Sequence, residues 1–158
     1  MYVLDSNTFI EAKNRYYGFD IVPSFWNKLL EISPGNILTI KPIESEIMAG
    51  HDELSTWFES NYTINTYSVD ATEVQQVFAD ISRYVTRNAQ YKDSEKVRFL
   101  SKADPWIIAY AHVNNCVVVT HEILAPGSKK VKIPDVCQFL NVQYINVFEM
   151  LRELHIRI

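Results

Sequence analysis

Four acidic residues stand where a sequence like this one could do chemistry: Asp5, Glu46, Asp104 and Glu122. Asp5 directly follows the apolar run Tyr2-Val3-Leu4. Glu122 lies one residue beyond Val117-Val118-Val119-Thr120, and Asp104 opens the apolar stretch just before that run. Where both runs are central, parallel strands, Asp5, Asp104 and Glu122 converge at one edge of the sheet. Carboxylates crowded into one cleft repel one another unless protons or metal ions neutralise them. Magnesium or manganese suits an all-oxygen donor set. Such an ion activates water and stabilises charge on a phosphoryl group.

Each acid also has a purely structural explanation. Asp5 can cap the helix that follows it. Asp104 before Pro105 is a natural cap, and Ser101 with Asp104 resembles a capping box. Glu122 can be a plain loop residue. Glu44 and Glu46 are two apart and cannot share a helix face. Glu44 falls in the first turn after Pro42, where the helix dipole favours a negative charge. Glu46 lies further in and directly precedes Ile47, so the dipole explains it less well. Glu46 is therefore the functional candidate of the two.

These residues need elements to hold them. Tyr2-Val3-Leu4 reads as a buried strand leading into a helix through Asp5-Ser6-Asn7. Pro23 starts a helix carrying Phe25, Trp26, Leu29 and Leu30, and Ser33-Pro34-Gly35-Asn36 breaks it. Ile37-Leu38-Thr39-Ile40 is short and extended, Pro42 opens the next helix, and Leu54, Trp57 and Phe58 continue helical spacing after Asp52. Tyr62 to Tyr67 is short and β-rich. Val77, Ile81, Tyr84 and Val85 predict one long helix from Thr72 to about Tyr91, capped by Asp70 or Thr72. Trp106 to Val113 is helical and Asn114-Asn115 breaks it. Cys116 to Thr120 is apolar enough for a strand covered on both faces. Ala125 to Lys132 reads as a loop, Ile133 to Leu140 as a helix, Val142 to Asn146 as a strand and Val147 to Leu154 as a closing helix. Helices alternating with short buried strands predict an α/β fold with a mostly parallel sheet. Ligands of such sheets collect beyond the carboxyl ends of the strands.

The length of 158 residues suits one domain over 1–158 and a sizeable core. No apolar run reaches the ~18 residues of a membrane span. The start Met1-Tyr2-Val3-Leu4-Asp5 has no basic region and no apolar signal segment, which predicts a cytoplasmic protein. The two cysteines, Cys116 and Cys137, exclude a disulfide framework and make a zinc site improbable. The net charge of −4 excludes a generally basic nucleic-acid binder. Basic residues are nonetheless clustered: Lys92, Lys96, Arg98 and Lys102, then Lys129, Lys130 and Lys132. They are either phosphate-holding patches or an ordinary solvated surface.

Four segments, in order and over nearly the whole chain, resemble the motifs of PIN-domain proteins. Tyr2-Val3-Leu4-Asp5-Ser6-Asn7-Thr8-Phe9-Ile10 is similar to the opening motif. Lys41-Pro42-Ile43-Glu44-Ser45-Glu46-Ile47 is similar to the second, with Glu46 at the acidic position. Ala103-Asp104-Pro105-Trp106-Ile107-Ile108-Ala109-Tyr110-Ala111 is similar to the third, and Val117-Val118-Val119-Thr120-His121-Glu122 to the fourth. The family's fourth acid is commonly Asp, and here it is the longer Glu122. The stretches Ala103 to Trp106, Val119 to Glu122 and Lys132 to Cys137 look closest to a bacterial branch of this family.

The resemblance implies a three-layer α/β/α sandwich with a mostly parallel central sheet. It implies a Mg²⁺- or Mn²⁺-dependent endoribonuclease with Asp5, Glu46, Asp104 and Glu122 as catalytic, metal-holding residues. Many small bacterial relatives are toxins of toxin–antitoxin pairs of the VapC type, which implies RNA as substrate, a cognate antitoxin covering the acidic cleft, and a homodimer. Asn7 and Thr120 are candidates to orient water or a carboxylate, or else plain backbone-bonding caps. Lys129, Lys130 and Lys132 are candidates for RNA phosphates. Tyr16, Tyr17, Trp26 and Trp57 are candidates to stack on bases, although Trp26 and Trp57 lie on apolar stripes that suit the core. His121 is a candidate acid or base, or simply structural. The alternatives are a non-catalytic PIN-like module that binds nucleic acid or protein, a DNA-directed nuclease of the same chemistry, and an acid-pocket phosphotransfer domain. The last fits poorly, because Asn7 stands where a haloacid-dehalogenase site needs a second Asp.

Overall fold

The computed structural model describes residues 1–158. Five short strands, β1 (Tyr2–Leu4), β2 (Ile37–Ile40), β3 (Thr66–Tyr67), β4 (Val117–Val119) and β5 (Tyr144–Ile145), form one sheet in the order β3-β2-β1-β4-β5. Every pairing is parallel, with Val3 beside Leu38 on one flank and beside Val118 on the other. Strands this apolar must be covered on both faces, and β2 is buried at all of its positions. Parallel neighbours also require crossovers, which the helices supply.

The crossover from β1 to β2 is α1 (Ser6–Glu11), which runs on as a π-helical turn (Ala12–Tyr16), and then α2 (Pro23–Ile32). The helices α3 (Lys41–Met48) and α4 (Glu53–Asn61) lead to β3, after which come α5 (Thr72–Arg87), α6 (Asp93–Leu100) and α7 (Asp104–Asn114). The chain then forms β4, α8 (Ile133–Leu140), β5 and α9 (Val147–Glu153). An aromatic cluster packs α1 and α4 together: Phe9 meets Phe58 and Tyr62 edge to face. Trp26 and Trp57 pack against each other at 4.7 Å in the same layer. The helix α7 has the opposite character, with Ile107, Ile108, Ala109 and Ala111 buried in succession. A helix apolar on most sides belongs inside, and α7 is flanked by α5, α6 and α8. Its end is set by Asn115, whose left-handed conformation (φ 53°) is a common helix terminator.

The predicted helix from Thr72 to about Tyr91 is shorter and is followed by a second one. At Asn88 the backbone turns extended (ψ 108°), and α6 begins anew after Lys92. Neither Asp70 nor Thr72 caps α5. The cap position is Ala71, with no side-chain bond, and the Asp70 amide donates to Ser68 instead. The β-rich stretch from Tyr62 contracts to two strand residues preceded by a 3₁₀ turn at Thr63–Asn65.

The sheet has a topological switch point. Connections from β1 run outward through β2 and β3, whereas β4 and β5 lie on the other side of β1. A crevice therefore opens beyond the carboxyl ends of β1 and β4. The residues immediately there are Asp5 and Thr120.

Candidate active site

Asp5 occupies the cap position of α1, but its carboxylate makes no capping bond. It is 1 % exposed and accepts from the Thr120 hydroxyl at 3.2 Å and weakly from the Ser6 hydroxyl at 3.4 Å. Asp104 is not the cap of α7 either. That position is Ala103, no side-chain capping bond forms, and the Ser101 hydroxyl donates to the Arg98 carbonyl. Capping therefore explains neither carboxylate, and the helix dipole alone remains to favour Asp104, in the first turn of α7.

Glu46 and Glu44 separate as their positions predict. Glu44 pairs with Lys41 at 2.8 Å, in the first turn of α3. Glu46 turns inward and accepts from the Ser6 hydroxyl at 2.8 Å and from the Ala103 amide at 2.9 Å. It thus ties α1, α3 and the start of α7 at one point. Glu122 is held twice. Its amide donates to the Thr120 hydroxyl at 3.1 Å, and its carboxylate accepts from the Ile133 amide at 2.7 Å, at the largely buried first turn of α8. Glu122 is therefore more than a free loop residue, although part of its carboxylate is committed to α8. Thr120 links Asp5 to the Glu122 backbone, and Ser6 links Glu46 to Asp5. Nothing singled out Ser6 from the sequence beyond the small hydroxyl expected after Asp5.

Electrostatics binds the four acids into one group. Burial pushes Asp5 up to about 8, and the charges of Asp104, Glu122 and Glu46 push in the same direction against the Thr120 bond. Asp104 is raised to about 7, first by burial and then by Glu122 and Glu46, with Lys102 and Lys132 opposing. Perturbed carboxylates that share one cleft mark a functional site more often than a structural one. The donor set is entirely carboxylate oxygen, which fits Mg²⁺ or Mn²⁺ in chemistry. No three of the His, Cys, Asp and Glu side chains are drawn together as a finished ligand group. Protein donors bond Asp5, both oxygens of Glu46 and one oxygen of Glu122.

Basic residues border these acids. Arg98, Lys102, Lys130 and Lys132 line a cavity of about 100 Å³ together with Asp104 and Glu122. Lys130 and Lys132 are thus placed beside the acids as expected. Lys129 is not among the lining residues; its carbonyl accepts from the Lys92 amide. Arg98 and Lys102 come from α6 and its end, beyond the helix that the sequence predicts to end near Tyr91. Their basic clustering was the one available signal.

The remaining candidates divide. Asn7 is exposed on the other side of Glu122, lining a larger cleft with Tyr16 and His121. Burial holds His121 below its usual range, and its Nε2 has no partner. Trp26 is buried and donates to the Tyr17 carbonyl, and Trp57 packs in the same aromatic layer. Tyr17 stacks on Phe25 at 4.1 Å. Of the four aromatic candidates, only Tyr16 counts among the exposed large side chains.

Comparison with known proteins adds a family and a fold. The family model described as Domain of unknown function (DUF4411) matches residues 2–158. No curated protein matches the chain. Among solved structures, VapBC2 from Rickettsia felis bound to a DNA fragment from its promoter matches with TM-score 0.58 and 14% identity, over 92% of this chain and 97% of that one. FitAB bound to an IR36 DNA fragment matches with TM-score 0.55 and 18% identity, over 92% and 94%. FitAcB from Neisseria gonorrhoeae matches with TM-score 0.55 and 19% identity, over 92% and 97%. The fold is the three-layer PIN-like sandwich that the sequence motifs imply. No helix is long and apolar enough to cross a membrane.

Proposed function

The chain belongs to the DUF4411 family, and within it we propose a metal-dependent endoribonuclease that works as the toxin of a toxin–antitoxin pair. One observation carries this proposal: Asp5, Glu46, Asp104 and Glu122 are electrostatically coupled at the carboxyl ends of β1 and β4, beside Arg98, Lys102, Lys130 and Lys132. The partner part rests on the fold likeness to the VapBC2 and FitAB complexes.

The four carboxylates would hold Mg²⁺ or Mn²⁺, which when bound supplies an activated water and positive charge for the phosphoryl oxygens. Thr120 fixes the Asp5 carboxylate through its hydroxyl. Ser6 and the Ala103 amide fix Glu46. Such outer contacts decide whether ligands are in place when substrate arrives. The basic residues neutralise phosphates on either side of the cut and add no sequence reading.

Two expected outcomes follow from these roles. Thr120→Val removes the hydroxyl that serves both Asp5 and the Glu122 amide, and should lower cleavage roughly 10- to 100-fold with the fold retained; rate assays beside circular dichroism check this. Arg98→Ala and Lys132→Ala should each weaken binding of single-stranded RNA about equally for all sequences. Each should flatten the slope of log K against log salt by about 0.7, the value for one lost phosphate contact.

Cleavage of labelled total RNA and tRNA by purified protein tests the proposal, run with Mg²⁺, Mn²⁺ or EDTA beside Asp5→Asn/Asp104→Asn. Metal-dependent cleavage lost in the double variant is the expected result. The rival is a non-catalytic binding module. It predicts RNA or protein binding with no cleavage under any metal.

A further inference from the structure

The turn that carries Glu122 lacks the support of the strand before it. The Thr120 amide still donates to the Ile145 carbonyl, but from His121 to Leu124 no backbone-to-backbone hydrogen bond forms. Side-chain bonds tie this segment instead. The Glu122 amide donates to the Thr120 hydroxyl, the Ile133 amide to the Glu122 carboxylate and the Ala125 amide to the Asp135 carboxylate. A segment so lightly bonded opens readily unless packing holds it. His121 is the residue at the middle of the turn. Its ring lies 5.7 Å from that of Tyr16 and 6.2 Å from that of Phe148, and those two meet edge to face at 5.1 Å. All three spacings are those of favourable aromatic pairs.

The two outer rings stand on anchored elements. Tyr16 ends the π-helical turn that continues α1, closed by the Tyr17 amide on the Ala12 carbonyl. Such turns occur frequently at functional sites. Phe148 lies in the first turn of α9, whose start is fixed by the reciprocal bonds of Asn146 and Glu149. His121 is the loop member between them. Its Nε2 is buried and has no partner. Proton transfer through that nitrogen would need contact with water or substrate, which its burial denies. We propose that His121 is a positioning residue, whose ring, packed against Tyr16 and Phe148, holds the Thr120–Glu122 turn so that the Glu122 carboxylate stays with the other three acids. The inference rests on the proposed site and adds to it a residue that acts through Glu122. Thr120 makes the coupling wider, because the hydroxyl that receives the Glu122 amide also donates to Asp5.

The test combines amide exchange by NMR on the metal-free protein with Mn²⁺ affinity by titration calorimetry. With His121→Ala, the Glu122 and Ile133 amides should exchange about tenfold faster or more, as expected of a local opening. The Asp5 amide, bonded to the Val119 carbonyl, should keep its rate. His121→Phe keeps a ring without the nitrogens and should exchange as the wild type does. Phe148→Leu removes a neighbouring ring and carries the same expectation as His121→Ala, should that variant fail to fold. Mn²⁺ affinity should fall about tenfold with His121→Ala, the usual loss for a group acting behind a metal ligand, and return with His121→Phe. In Glu122→Ala protein, His121→Ala should cause no further loss, whereas a general packing defect would lower affinity in both backgrounds. Unchanged exchange at Glu122 and Ile133, equally raised exchange at Asp5, or a His121→Phe variant that behaves as His121→Ala overturns the inference. Mn²⁺-dependent cleavage indifferent to His121→Ala would leave the nuclease proposal standing and overturn the positioning role. The expected exchange pattern in a protein that binds no Mn²⁺ and cleaves no RNA would support the positioning role and remove the nuclease.

Discussion

Replacing Asp5 by Asn is expected to stabilise the metal-free protein and to abolish its activity in the same step. The folded protein holds Asp5 up to about 8, first by burial and then by the charges of Asp104, Glu122 and Glu46. In the unfolded chain the same group titrates near 3.9. Between these values the folded state keeps a proton that the unfolded state has released, so stability falls as pH rises. The penalty is absent below about pH 4 and complete above about pH 8. Asn keeps the acceptor for the Thr120 hydroxyl and cannot ionise. The variant should therefore gain about 1–2 kcal/mol at pH 8, the usual size of a stabilising change at a strained functional site. That corresponds to about 4 °C in melting temperature. The gain should vanish at pH 4. Cleavage should fall by a factor on the order of 10³, as when a main charge-stabilising group is lost. Differential scanning calorimetry at both pH values, beside a rate assay, reads both effects. A variant that is less stable than the wild type at pH 8 would mean that Asp5 serves the fold and not the site.

The second large effect is a proton linkage in metal binding. Carboxylates must be deprotonated to hold an ion, and Asp5 and Asp104, raised to about 8 and about 7, compete with it for protons near neutrality. The apparent affinity for Mn²⁺ should fall by roughly tenfold or more from pH 8 to pH 6. The two groups are coupled, so the steps belong to the cluster as a whole. Titration calorimetry at pH 7, in two buffers of different ionisation enthalpy, should show proton release with each ion bound. A pH-independent affinity, with no proton released, would place the ion away from these acids. Asp104→Asn should weaken binding at pH 8 and reduce the proton release.

The acidic cluster was legible in the sequence because two of its members sit at the ends of apolar runs. A buried parallel strand followed by an acid can put that acid only at the carboxyl edge of the sheet, and this holds for Asp5 and, after Thr120, for Glu122. The preference for Glu46 over Glu44 was legible for a different reason. The helix dipole accounts for Glu44 and leaves Glu46 unexplained, and in the fold Glu44 is spent on Lys41. The helix α6 was not legible. Only Phe99 of its residues is buried, so it carries no apolar stripe to mark it as a helix. The signals were weaker ones: Asn88 at the break, and Asp93 and Glu95 in the new first turn. Without α6, Arg98 and Lys102 stand in the sequence only as members of a basic cluster, with nothing to place them beside the acids. Lys129 is the converse case, a residue next to Lys130 in sequence that does not line the cavity. Sequence proximity to Lys130 suggested a shared role, but lining a cavity depends on which way a loop residue points. The hydrogen bond from the Ile133 amide to Glu122 joins residues eleven positions apart and leaves no periodic trace. Similarly, Tyr16 and Tyr17 are equivalent in the sequence, and only the fold shows Tyr17 half-buried against Phe25 and Tyr16 exposed.

Analysis of the product ends is the most direct test of water-driven phosphodiester hydrolysis at these four acids. The purified protein would be incubated with one labelled RNA and Mn²⁺, and the termini of the fragments identified by mass spectrometry. Attack by water leaves a phosphate monoester on one side of the cut and a hydroxyl on the other. The predicted result is such ends alone, absent in EDTA and absent with Asp5→Asn/Asp104→Asn. Fragments ending in 2′,3′-cyclic phosphate, which require attack by the RNA's own 2′-hydroxyl, or identical products from the double variant, would contradict the assignment of this chemistry to Asp5, Glu46, Asp104 and Glu122.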